Sequence, residues 1–216
     1  MIRAAIPSTL ALALCCLYLA SCSSAYYGAL EQVGIEKRDI LVDRIDDTRD
    51  AQEDAKEQFT SALEHYRSVV KVEGGDLEEI YDRLNSEYER SVLRADAVRD
   101  RIDAVEPVAE DLFDEWEDEI ETYSNPDLAR QSRDLLRETR ADYAELLRAM
   151  RRAEQSMDPV LKLFNDQVLF LRHNLNARAI GALESELGSI EQATAELIRE
   201  MERSIAEANR FIDSMK

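Results

Sequence analysis

The sequence predicts an all-α protein, an elongated antiparallel four-helix bundle or coiled coil, and three observations carry that expectation. Gly and Pro number only 6 and 4 in 216 residues, while Ala, Leu, Glu, Arg and Asp dominate, the composition of long helices. Apolar residues recur at steps of three and four along most of the chain, which is the period of one helix face and not of a strand. The few turn signals are Gly74-Gly75-Asp76, Ser124-Asn125-Pro126 and the neighbourhood of Asn174 and Asn176. They cut the chain into segments of similar length.

The chain opens with Arg3, an apolar run from Ala4 to Leu17, and Leu19-Ala20-Ser21-Cys22. A positive start, an apolar run of secretory length and a small-residue cleavage site are the parts of a signal peptide. A cysteine directly after the small residues is the lipobox of a bacterial lipoprotein. Residues 1–21 are therefore expected to be removed, leaving Cys22 as the site of lipid attachment. Its thiol would carry diacylglycerol and its amine a further acyl chain such as palmitate. One chain holds a protein only marginally, at about 0.8 kcal/mol per buried CH₂, whereas two or more hold it stably. The competing reading is a plain signal peptide or an uncleaved transmembrane helix. Ser23, with no Asp at that position, favours sorting to the outer membrane of a Gram-negative cell. The expected location is thus the cell envelope, lipid-anchored. Cys15 and Cys16 leave with the signal and Cys22 is consumed by lipid. No disulfide framework remains for the oxidising periplasm, so stability has to come from packed helices.

After a short linker (22–28), the helical domain is expected over 29–216. A first helix, about 29–71, offers Ile35, Val42, Ile45, Ala55, Phe59, Ala62, Tyr66 and Val70 to a core. A second, about 77–123, steps through Leu77, Ile80, Leu84, Tyr88, Ser91, Ala95, Val98, Ile102, Val105, Ala109, Leu112 and Trp116 as a heptad seam. Pro107 should kink it or open a hydrogen bond. A third helix starts at Pro126 and keeps one register through Leu128, Ser132, Leu135, Thr139, Asp142, Leu146, Ala149, Ala153, Ser156 and Val160. Asp158-Pro159 is read as a kink within it, because the register continues through Leu163 and Phe170. A fresh register begins at Ile180 and runs through Leu183, Leu187, Ile190, Thr194, Leu197, Met201, Ser204, Ala208, Phe211 and Met215. The mismatch between Asn174 and Ala179 places the third turn. Short connections force neighbours to run antiparallel, and at about 1.5 Å per residue the helices span roughly 60 to 75 Å. The runner-up architecture has three helices, continuous after Pro126.

Lys and Arg number 27 against 46 Asp and Glu, a net charge of -19. Such a surface repels nucleic acid and anionic headgroups, so no nucleic acid is expected as partner and membrane contact is expected through the N-terminal lipid. Nucleophilic catalysis needs a base beside Ser or Cys, but the mature chain would hold only His65 and His173 and no free Cys. Neither histidine follows Glu by three residues, the pairing a di-metal bundle uses. No catalytic residue, metal or cofactor is expected. The stretch Glu110 to Glu121, EDLFDEWEDEIE, has no basic residue. It is read as a solvated acidic face whose Leu112, Phe113, Trp116 and Ile120 anchor one end of the core.

Arg130, Arg133, Arg137, Arg140, Arg148 and Arg151 fall within an arc of roughly 80° on the third helix, opposite Leu128, Leu135 and Leu146. In so acidic a chain this stripe is a candidate docking face for an acidic protein or a phosphate-bearing envelope polymer. The plainer reading is a solvated face paired with carboxylates on adjoining helices. The apolar run around Leu161, Val168 and Leu169 is wider than one seam needs, so burial between two helices competes with self-association into an oligomer. The terminal Lys216 raises covalent linkage to the cell wall, but four antiparallel helices would return it to the membrane end.

The stretch Ala25 to Ile45, AYYGALEQVGIEKRDILVDRI, resembles the opening of an uncharacterised bacterial family known as a domain of unknown function. The segments GGDLEEIYDRLN, LFDEWEDEIETYSN and VLFLRHNLNARAI resemble it too. The resemblance covers nearly all of the mature chain. It implies a secreted or lipid-anchored helical protein and brings no activity, ligand or catalytic residue. The expected function is a non-enzymatic scaffold, spacer or adaptor working through protein–protein contacts. A helical module that captures a ligand or cation between helices is the competing class.

Overall fold

The computed structural model describes residues 37–71, 76–174 and 177–216. The expected signal peptide, Cys22, the linker, the first residues of the expected first helix with Ile35, Gly74-Gly75 and Asn176 lie outside the described residues. The chain divides into two units, 1–40 and 41–216. Of the first, the described part is the first turn of helix α1 (Lys37–Val70). The second holds the rest of α1 together with α2 (Leu77–Thr122), α3 (Pro126–His173) and α4 (Ala177–Met215). The fold is an all-α four-helix bundle, and the chain after Pro126 is two helices that break where the register changes.

Local chemistry sets the helix ends. Asp76 caps α2 by accepting hydrogen bonds from the Glu78 and Glu79 backbone N–H groups, and Glu78 and Glu79 sit in its first turn, where carboxylates face the positive end of the helix dipole. Asn125 caps α3 in the same way through the Asp127 and Leu128 N–H groups, with Pro126 at the first helical position. At the other end of α3, Arg172 and His173 occupy the last turn, and the Asn174 side chain donates to the Phe170 carbonyl at 2.9 Å. Pro107 and Pro159 both lie inside continuous helices and both are exposed. Each ring removes the donor for the carbonyl four residues earlier, that of Asp103 or Gln155. These residues also face outward, where water satisfies the freed oxygen.

Four sets of cross-helix contacts close a ring and fix its direction. Between α1 and α2, Asp47 pairs with Arg101, Asp54 with Arg94, and Gln58 with Glu87. One number rises as the other falls, so these helices are antiparallel. Arg99–Asp158, Glu106–Arg151 and Glu117–Arg140 do the same for α2 and α3. Tyr143–Phe211 and Arg152–Glu200 join α3 to α4, and Arg67–Glu191 and Arg49–Asn209 return from α1 to α4. Exposed pairs of this kind contribute about 0–1 kcal/mol each, so they report register more than they supply stability. Stability resides in the buried seam, with Ile45, Phe59, Tyr66, Ile102, Leu146, Met150, Met157, Ile190 and Leu197 all essentially inaccessible. Tyr66 and Phe164 meet edge to face across the centre at 6.2 Å between centroids.

The buried seam departs from the expected one by single positions. On α2 it runs Ile80, Leu84, Glu87, Ser91, Ala95, Val98, Ile102, Val105, Val108, Ala109, Phe113 and Ile120. Glu87 replaces Tyr88, and Phe113 replaces Leu112. At Phe113 burial follows the 3.6-residue turn, whereas a strict heptad count drifts by about 20° per repeat and lands on Leu112; Glu87 lies seven residues after Ile80, where the apolar pattern offers its neighbour Tyr88 instead. On α3 the N-terminal half is turned by one position, burying Ala129 and Leu136 and leaving Leu128 and Leu135 exposed. On α1, Leu41 and Val69 are buried in place of Val42 and Val70, and Thr48 and Gln52 occupy seam positions the apolar pattern passes over.

Candidate functional site

The turn between α2 and α3 leaves large apolar side chains in solvent. The contacts Tyr143–Phe211 and Arg152–Glu200 place the end of α4, Met215, near Arg137 to Thr139 of α3. The first three turns of α3 and the last turns of α2 therefore run on past α4. Within this extension Trp116 Nε1 donates to Ser132 Oγ at 2.8 Å. Phe113 stacks edge-on against Tyr143 at 5.5 Å, and Tyr143 against Phe211. The Arg140 guanidinium lies 5.3 Å from the centre of the Phe113 ring and pairs with Glu117, combining a cation–π contact with an ion pair. The hydrogen bond from Arg140 holds the Glu117 carboxyl below its ordinary range. Outside this packed layer, Leu128 is 49 % exposed and Leu135 55 %, and Tyr123, at the C-cap of α2, is exposed as well. An open groove of about 560 Å³ runs between the two helices, lined by Glu117, Asp118, Glu121, Arg133, Ile120 and Leu136 among others.

The six arginines expected to form one basic stripe do not share one state. Arg130 pairs with Asp127 and Arg137 with Asp134, each three residues earlier on the same helix. Arg140 turns to Glu117 on α2, and Arg151 is held by Asp103, Glu106 and Glu154. Burial alone would lower the Arg151 pKa; its hydrogen bonds to these carboxylates outweigh that and raise it. Arg133 and Arg148 are exposed and make no ion pair among the described residues. The stripe also does not lie opposite Leu128 and Leu135 in a buried seam, because those two leucines face solvent. Of the expected self-association residues, Val168 is 5 % exposed and belongs to the core, Leu161 is half-buried, and Leu169 is exposed next to Phe170. That patch is narrower than the sequence implies, since Val168 packs inward with Phe164 and Leu171.

Two groups of polar side chains lie where the apolar pattern gives no warning. Glu87 is buried in the α1–α2 interface. Its carboxylate accepts from Gln58 Nε2 at 2.7 Å and from Arg90, and lies 2.6 Å from His65 Nδ1. This cluster joins α1 to α2 through one buried acid, with its partners on the rim. Deeper in, Gln52 is fully buried with neither amide atom hydrogen-bonded among the described residues, as are the hydroxyls of Thr194 and Ser204. On the register set by Arg49–Asn209 and Arg67–Glu191, Gln52 stands about level with Ser204. Among the described residues no three His, Cys, Asp or Glu side chains gather as metal ligands, and no helix is long and apolar enough to cross a membrane.

Compared with known proteins, residues 26–215 match the model of a family described as Protein of unknown function (DUF2959). No curated protein matches the chain.

Proposed function

We propose a function for a chain that belongs to the DUF2959 family: a lipid-anchored bacterial envelope protein, held at Cys22 and working without catalysis as a scaffold or adaptor. The lipobox supports the anchor, with Ser23 favouring the outer membrane. The observation that carries the adaptor reading is Leu128 and Leu135, two large apolar side chains one heptad apart on α3 that the bundle leaves in solvent. A helix ordinarily buries such a pair against a neighbour, and here the neighbouring position is open to another molecule. The isolated exposure of Leu93 is ordinary surface chemistry by comparison.

The anchor has a direct test. A Cys22→Ser protein is expected to leave the membrane fraction for the soluble periplasmic extract, and the parent's N-terminal peptide is expected to carry the mass of diacylglycerol and acyl chains. Unchanged fractionation of Cys22→Ser would remove the anchor from the account.

The second reading, a module that captures a small polar ligand or cation between its helices, draws on Gln52, Thr194 and Ser204. Unpaired polar atoms in an apolar interior cost about 1–3 kcal/mol each, a cost that a bound polar molecule would offset. The Gln52 variant considered in the Discussion separates the two readings.

A further inference from the structure

We infer that the seam between α1 and α4 is built to open, giving the bundle a second state in which these two helices part while α2 and α3 stay packed. Three observations converge. Among the described residues, the buried side-chain atoms left without a hydrogen bond are both amide atoms of Gln52 and the hydroxyls of Thr194 and Ser204, and all of them belong to α1 and α4. They are spread along the seam, since Thr194 and Ser204 stand ten residues apart on α4, about 15 Å along the axis. The bonds that cross the seam are confined to its ends: Arg49 with Asn209 at 3.4 Å, and Tyr66 and Arg67 with Leu183 and Glu191. Between Arg49 and Tyr66, no hydrogen bond or ion pair joins α1 to α4 among the described residues, whereas the same stretch of α1 is tied to α2 by Asp54–Arg94 and by Glu87 with Gln58 and His65. Finally, a turn of the chain joins α1 to α2, α2 to α3 and α3 to α4, and none joins α1 to α4.

A polar group buried without a partner raises the energy of the closed state, and opening returns it to water. Parting α1 from α4 exposes apolar side chains such as Phe59 and Leu197, both fully buried in the closed bundle, but the hydration of Gln52, Thr194 and Ser204 offsets part of that cost. Openings below the global one arise where least stability is lost. The moving part matters because the chain enters α1 from the side of Cys22. Movement of α1 would alter how far the Leu128 and Leu135 face stands from an anchored N-terminus. That consequence rests on the anchored adaptor reading, whereas the opening itself does not.

Thiol labelling of the full mature protein tests the opening, with the parent as the blank for Cys22. Ser204→Cys puts a thiol of similar size in the seam. Ala95→Cys puts one at a fully buried position of α2, one turn before Arg99 and so on the side that pairs with Asp158 of α3. Under native conditions Ser204→Cys is expected to react about tenfold faster or more, and with a weaker dependence on urea, because a seam exposes less surface than global unfolding. Adding Gln52→Leu to Ser204→Cys should slow the reaction about tenfold, since the largest of the unpaired polar groups is gone. The same urea dependence at both positions, whatever the rates, would show a bundle that opens only as a whole and overturns the inference. Faster labelling after Gln52→Leu also overturns it, by showing that the glutamine has a partner in the closed state. Neither result touches the adaptor reading, which stands or falls on crosslinks from Leu135.

Discussion

Tyr66→Ala is expected to lower the unfolding free energy by about 3–5 kcal/mol, the range for emptying a large aromatic site in a close-packed core. Tyr66 is fully inaccessible, meets Phe164 across the centre of the bundle, and donates its hydroxyl to the Leu183 carbonyl at 2.8 Å. One side chain thus contacts α3 and α4 from α1, and its removal loosens three helices at once. Tyr66→Phe keeps the ring and loses only the hydrogen bond, so about 1 kcal/mol is expected. Urea unfolding followed by circular dichroism gives both values, and a loss below about 1 kcal/mol for the alanine variant would show that this site collapses without a cavity.

The same residue sets an alkaline limit. Burial first, and then the nearby Glu186 charge, push the Tyr66 phenol above its ordinary range. Burial and the Glu106 and Glu110 charges do the same for Tyr143, with Arg151 opposing. A phenol whose pKa is raised on folding contributes stability that is fully present below its unfolded value, about 10, and is lost as pH rises beyond it. Absorbance at the tyrosinate band should therefore show a late-titrating class that appears together with loss of helix. In Tyr66→Phe the alkaline midpoint should move upward, because one of the two groups that favour unfolding is gone.

Gln52→Leu is expected to stabilise the bundle by about 1–3 kcal/mol. The residue it replaces has the right length for a seam position but two polar atoms with no hydrogen bond among the described residues. Leucine fills a similar volume with nothing to desolvate. Ser204→Ala, level with Gln52 on α4, should add a smaller gain, and the two effects should fall short of additivity if the side chains share one site. A destabilised Gln52→Leu protein would mean that the glutamine has a partner in solution, and would favour the reading in which the bundle encloses a polar ligand.

Much of this architecture is legible in the sequence because long helices advertise themselves through period, caps and breakers. Asp76, Asn125-Pro126 and the register change before Ile180 locate the turns, and the α4 seam from Leu183 to Phe211 matches burial nearly position for position. The misplacements have physical causes. A heptad count slips against a 3.6-residue turn, which is how Leu112 stands in for Phe113, while Tyr88 stands in for Glu87 because an apolar pattern prefers the apolar one of two neighbours. Leu128 and Leu135 read as inward because they are apolar, but Ala129 and Leu136 offer an adjacent apolar face, and composition alone does not say which of two faces the bundle uses. The arginine arc holds as helical geometry. Its partners are invisible in the sequence because Glu106 and Glu117 belong to another helix and Asp127 and Asp134 lie just outside the arc. Glu87 with His65, and the buried Gln52, follow from cross-helix register, which no single-helix pattern contains.

The central claim, that the anchored bundle meets another protein through its α2–α3 turn, is tested most directly by photocrosslinking in intact cells. A photoreactive residue replaces Leu135 in one strain and Leu93, 68 % exposed on α2, in another. The account predicts one discrete adduct with a different protein from position 135, missing from position 93 and lost when Leu128→Ser is added. No adduct at 135, or the same adducts from both positions, would contradict it.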